Sequence, residues 1–197
     1  MSDRTSCQCQ IDDRRIPAFV IDNLFRRLFR PPSRFLAKYL SHGATAADLG
    51  CGPGFFSLPM ARIVGDRGRV HAVDFDERVI ERVKQKASRS GFSHILAPRA
   101  ASASEIDFIE TGSVDFVLAE GLLCCMKDHE GAMRQIKRIL KADGRAYLSV
   151  IKLGRHGDPR NVAKEEWEAL LSGMRVVDSG ETAIGRWALV SPQRASA

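Results

Sequence analysis

The chain has 197 residues, 44% of them hydrophobic and 27% charged, with a formal charge of +6. That size and balance fit one globular domain with a short extra segment, and exclude a low-complexity or disordered chain. The hydrophobic runs stop well short of the ~20 residues a membrane span needs, and the polar start Met1–Cys7 lacks the apolar core of a secretory signal, so a cytoplasmic protein is expected.

The predicted elements follow in chain order. Ile16, Phe19, Val20, Leu24 and Leu28 recur at helical spacing over Ile16–Arg30, until Pro31-Pro32 breaks the pattern by removing amide donors. A second short helix is expected over Ser33–Leu40, closed by Gly43. Thr45–Leu49 reads as a buried strand, Phe55–Val64 as an apolar helix and Arg69–Val73 as a second strand. Asp76 can cap a helix that turns Val79, Ile80, Val83 and Ala87 inward and ends at Gly91. Strands over Ser93–Ala97 and Ser113–Ala119, a helix over Glu130–Lys141, a turn at Ala142-Asp143-Gly144 and a strand over Arg145–Leu153 follow. A helix over Val162–Ser172 precedes two short strands, Met174–Asp178 and Arg186–Val190.

Repeated strand–helix alternation predicts an α/β fold with a mainly parallel sheet. The last two strands are too close in sequence for a crossover helix and should pair antiparallel. Residues 1–43 read as a leader with lid helices and 44–197 as the main domain.

Chemistry concentrates where the first strand runs into Gly50-Cys51-Gly52-Pro53-Gly54. Glycines at such a strand–helix turn allow a tight bend and a close ligand approach. A dinucleotide loop spaced Gly-x-Gly-x-x-Gly would need its third glycine at position 55, but that position is Phe55. Asp48, two places before Gly50, would repel a pyrophosphate and attract a cation. Asp74, twenty residues beyond Gly54 at the end of the next strand, can accept both hydroxyls of a ribose.

These features, together with Ser113–Leu118 and Arg138–Gly144, resemble the successive motifs of the class I S-adenosylmethionine (SAM)-dependent methyltransferases over about residues 44–153. Within that family the chain is similar to the small type 11 group that contains quinone-biosynthesis and arsenite methyltransferases. The resemblance implies a Rossmann-like three-layer sandwich: a seven-stranded mixed sheet with an antiparallel C-terminal hairpin. It implies that Asp48, Gly50, Cys51 and Gly52 surround the methionine part of SAM, that Asp74 holds the ribose, and that Phe75 lies beside the adenine. Ala119, Glu120 and Gly121 would lie against the methionyl end. The Asp-Ala pair that many members carry at the adenine amino group falls here on Ser102 and Ala103, so a hydroxyl replaces a carboxylate. The turn usually written Pro-Gly-Gly is Ala142-Asp143-Gly144.

The implied reaction is direct displacement of the SAM methyl by an acceptor, most simply a small molecule. A SAM-binding sensor without catalysis is one alternative. The other is an RNA methyltransferase using the basic stripe Arg26, Arg30, Arg34 and Lys38, with Arg27 beside it. His156, and less so His129, are the candidate general bases, since imidazole titrates near neutrality. Cys7, Cys9, Cys124 and Cys125 lack the paired spacing of a zinc site, so no metal is expected, and buried cysteine is commonly a small hydrophobe.

Overall fold

A computed structural model of the chain describes residues 32–151 and 158–193. The expected helix over Ile16–Arg30, Cys7, Cys9 and His156 lie outside them. The elements are α1 (Pro32–Leu36), β1 (Thr45–Leu49), α2 (Ser57–Val64), β2 (Arg69–Asp74), α3 (Glu77–Arg89), β3 (Leu96–Ala100) and β4 (Val114–Glu120). They continue with a 3-10 turn (Leu123–Cys125), α4 (His129–Ile139), β5 (Leu140–Ile151), α5 (Lys164–Leu171), β6 (Met174–Thr182) and β7 (Gly185–Pro192). The seven strands form one sheet in the order β3-β2-β1-β4-β5-β7-β6, with β7 antiparallel to both its neighbours. The expected mixed sheet with its terminal hairpin is what the chain builds.

Alternation along each strand feeds two cores. Ala47, Leu49, Val117 and Leu148 pack on one face with Met133 and Ile136 of α4 and Trp167 and Leu170 of α5. Ala46, Ala72, Phe116 and Tyr147 pack on the other with Leu36 of α1, Met60 of α2 and Ile80 and Val83 of α3. Leu36 is fully buried there, so a truncation aimed at the leader should stop before residue 32. Val79, expected inward, is half-buried, while Ile80, Val83 and Ala87 carry the buried face of α3.

Several boundaries differ from expectation: the second helix ends at Leu36 rather than Leu40, the next starts at Ser57 rather than Phe55, and that before the terminal strands is Lys164–Leu171 rather than Val162–Ser172. The third strand starts at Leu96 rather than Ser93, because the exit from α3 continues as turns: Phe92 N donates to Ala87 O, and Ile95 N and Leu96 N both donate to Phe92 O. Pro98 within β3 is tolerated because β3 is an edge strand, where a missing donor breaks no interior ladder. Helix α4 stops at Ile139 because Leu140 is extended, and β5 begins there. Val114 faces Leu140 while Phe116 faces Arg145, so Lys141–Gly144 bulges out opposite a single residue instead of forming a separate turn. The terminal strands are longer than expected, which leaves only Ala183 and Ile184 between Thr182 and Gly185.

Strand β1 pairs with β2 on one side and β4 on the other, and the connections run outward in opposite directions from there. The carboxyl ends of β1 and β4 therefore flank the topological switch point, where open α/β sheets form a ligand crevice.

Candidate cofactor site

The residues singled out in the sequence gather at that switch point. Asp48 sits near the end of β1, level with Ala72 of β2 and Leu118 of β4, and is almost fully buried. Its Oδ2 accepts a 2.5 Å hydrogen bond from Ser57 Oγ at the start of α2. Burial pushes the Asp48 carboxyl up to about 7; the Ser57 hydroxyl opposes this, and the negative charges of Glu120 and Asp74 add to it. A carboxyl in that state is stabilised in its charged form by an arriving cation and disfavoured by an arriving anion.

Asp74, at the end of β2, accepts from Gly52 N at 2.9 Å through Oδ2 and from Asp76 N at 3.0 Å through Oδ1. Burial raises its carboxyl above the ordinary range, with those amides pulling the other way. The backbone of Phe75 also hydrogen-bonds to this carboxylate, whose roughly four acceptor sites leave room for a further donor such as a ribose hydroxyl. Phe75 follows directly and is half-buried.

The glycine loop is held by its own amides. Gly50 N and Cys51 N both donate to Val73 O, Gly52 N to Asp74, and Gly54 N to Cys51 O, while Pro53 has no amide hydrogen. An anion-cradling loop needs backbone N–H groups aimed at the ligand. Here they are spent inside the protein, so the loop suits a ligand that does not bring phosphate to it. Lys86 Nζ of α3 fastens the outer side by donating to Pro53 O at 2.7 Å. Cys51 is buried, and burial together with Asp48 and Asp74 drives its thiol well above its ordinary range, so it serves as a small neutral wall.

Gly50 has φ +74°, and a Cβ there would stand 3.1 Å from Leu122 Cδ1. Gly50→Ala should therefore cost roughly 1–2 kcal/mol, mostly from the left-handed backbone. Thermal melting of the cofactor-free protein checks this. A melting temperature lowered by several degrees is expected, and an unchanged one would contradict the positive φ.

The other predicted residues close the crevice. Ala101 N donates to Asp74 O, which brings Ser102 and Ala103 to the end of β2; both are buried, and Ser102 Oγ lies 2.9 Å from Ser104 Oγ. The chain after them is clamped by Arg138, whose guanidinium donates to the carbonyls of Ile106 and Ile109. Ala119 is buried in β4, Glu120 is half-buried at its end, and Gly121 follows with φ +69°. Gly121 N donates to both the carbonyl and the hydroxyl of Ser149 on β5.

His129 is not placed as a base. It is buried at the start of α4, with Nδ1 2.6 Å from Glu166 Oε1 and Nε2 2.8 Å from Met126 O, and it joins α4 to α5. Cys124 Sγ donates to Gly121 O. Among the described residues no cluster of three or more metal-ligating side chains occurs. Of the basic stripe, only Arg34 in α1 and Lys38 in the turn after it are described, and both are exposed. No described helix is long and apolar enough to cross a membrane. Ser57, Ser149 and Leu122 were not identified from the sequence. Ser57 carries the clearest missed signal, a hydroxyl in the first turn of the helix that follows the loop.

The profile of the family described as "Methyltransferase domain" matches residues 47–148, just over half of the chain. The chain belongs to the class I SAM-dependent methyltransferases of type 11. It is 28% identical over 134 residues to the ubiquinone/menaquinone biosynthesis C-methyltransferase UbiE of Geotalea uraniireducens, a match covering 68% of this chain and 54% of that protein. It is 30% identical over 106 residues to the 2-phytyl-1,4-naphtoquinone methyltransferase of Trichormus variabilis, covering 54% of this chain and 46% of that one. The chain thus spans about half the length of these relatives. In fold it is similar to a SAM-dependent methyltransferase of Aquifex aeolicus, with a TM-score of 0.70 and 23% identity over 88% of this chain and 96% of that one. This type 11 chain fits SAM by the chemistry of its donors: acidic side chains at three strand ends around a loop with no amide left for phosphate.

Proposed function

We propose that the chain transfers a methyl group from SAM to a small-molecule acceptor by direct displacement. The observation that carries this reading is the convergence of Asp48, Asp74 and Glu120 at the ends of β1, β2 and β4. When bound, SAM supplies an electrophilic methyl carbon on a positively charged sulfur. Asp48 and Glu120 face the cationic methionyl end, lined by Gly50, Cys51, Gly52, Ala119 and Gly121. Asp74 accepts the ribose hydroxyls, and Phe75, Ser102 and Ala103 border the adenine. These residues bind and orient; most of the rate gain in such a displacement comes from holding the nucleophile in line at near-attack distance. A base is needed only for a poorly nucleophilic acceptor, and His156, just beyond β5, is the candidate for that proton.

A small-molecule acceptor is supported by the similarity to relatives named for quinone biosynthesis. The tip of the β6–β7 hairpin adds support, because Gly185 pairs with Ile151 at the carboxyl end of β5 and brings exposed Ile184 to the crevice side of the sheet. The test is transfer of labelled methyl from SAM to small quinols, thiols, arsenite and RNA in parallel. Label on a small molecule is the expected outcome. Label on RNA alone would overturn the acceptor class, and binding of SAM with no transfer to any acceptor would favour the sensor alternative.

A further inference from the structure

We propose that Ser57 is a positioning residue of the cofactor site, whose hydroxyl fixes one oxygen of the Asp48 carboxyl and so aims that group at the cationic end of SAM. The inference rests on the cofactor reading above and extends it to a residue outside the glycine loop.

A serine at the start of a helix ordinarily accepts from a backbone amide as a cap. Ser57 does otherwise. The N-cap position of α2 is Phe56, which offers no side-chain cap, and Ser57, wholly buried one residue later, donates its hydroxyl to Asp48 across the loop. The groups acting on Asp48 from the neighbouring elements are Glu120 on β4 and Asp74 on β2, both acidic, and its own burial acts in the same sense. Cys51 in the loop is driven above its ordinary range and stays neutral. Against these stand the hydroxyl and the backbone amide of Ser57, the groups that favour the charged carboxylate. Ser57 thus acts on the cofactor only through Asp48. SAM affinity should rise with pH as Asp48 ionises, and binding near neutrality should release a proton.

The experiment is calorimetric titration of SAM into the full chain and its variants from pH 6 to 9, in buffers of different ionisation heat. Ser57→Ala is expected to weaken binding about ten-fold near pH 7, the size of one hydrogen bond to a charged group. It should also raise the pH midpoint of affinity by about one unit and recover most of the affinity at pH 9. Ser57→Thr, which keeps the hydroxyl, should restore the midpoint, and Ser57→Ala should cost nothing further in an Asp48→Asn background. Carbon-13 titration of the Asp48 carboxyl in the ligand-free protein reads the same shift without SAM. A wild-type midpoint in Ser57→Ala, or a loss equal at every pH, would overturn the proposal alone. Failure of the wild-type chain to bind SAM at any pH would overturn the cofactor reading and this one with it.

Discussion

Asp48→Asn is expected to make the cofactor-free protein more stable above neutral pH while lowering its SAM affinity at least about 100-fold, the effect of removing a buried charge from a cation. The stability half follows from linkage. The folded carboxyl titrates near 7 against an ordinary 3.8, so the folded state holds its proton more tightly than the unfolded chain. The stability this contributes is fully present below pH 3.8 and is lost as pH rises through 7. Across that window the loss is about 4 kcal/mol at most, at 1.36 kcal/mol per unit. Asparagine keeps an oxygen for the Ser57 hydroxyl and cannot ionise, so the variant escapes the loss. Melting curves from pH 4 to 9 should run nearly together at pH 4, draw apart as pH rises toward 7, and keep a constant gap above it, with the variant higher. A variant less stable than wild type at pH 8 would contradict the buried, cation-seeking state of Asp48.

Asp74→Ala is expected to fail on both counts. Its carboxylate holds the amides of Gly52 and Asp76 and a backbone hydrogen bond from Phe75, and removing it leaves these partly buried donors unmatched, at roughly 1–3 kcal/mol each. The loop that these bonds fix also loses the acceptor proposed for the ribose, so SAM affinity should drop by about 100-fold or more. Calorimetry and melting on the same preparation separate this from Asp48→Asn: Asp74→Ala lowers both affinity and melting temperature. Affinity within three-fold of wild type would remove Asp74 from the ribose role.

The two substitutions mark how far the sequence reads. Asp48, the glycine loop and Asp74 were legible because their spacing is local: strand, turn, helix, strand, with a charge at each strand end. The sign of Asp48 already argued for a cation over a phosphate. A second argument for it was not legible: every amide of the glycine loop is committed to β2, Asp74 or the loop itself. Ser57 escaped notice because a first-turn serine looks like an ordinary cap, and only the fold of the loop turns its hydroxyl back on Asp48. Glu120 was placed at the methionyl end, but its electrostatic coupling to Asp48 depends on β1 pairing with β4, which are far apart in sequence. The shift of β3 has the opposite origin, a purely local run of turns after α3 that hydrophobic periodicity does not register. His129 read as a lesser candidate base, but two hydrogen bonds and burial make it a strut between helices.

The most direct test of the cofactor claim is isothermal titration of SAM into the wild-type chain at pH 8, with S-adenosylhomocysteine and NAD titrated alongside. The expected result is one site for SAM, weaker binding of the uncharged-sulfur product, and no binding of NAD. Binding of NAD without SAM, or no binding of SAM at all, would contradict a crevice built for a cationic methyl donor.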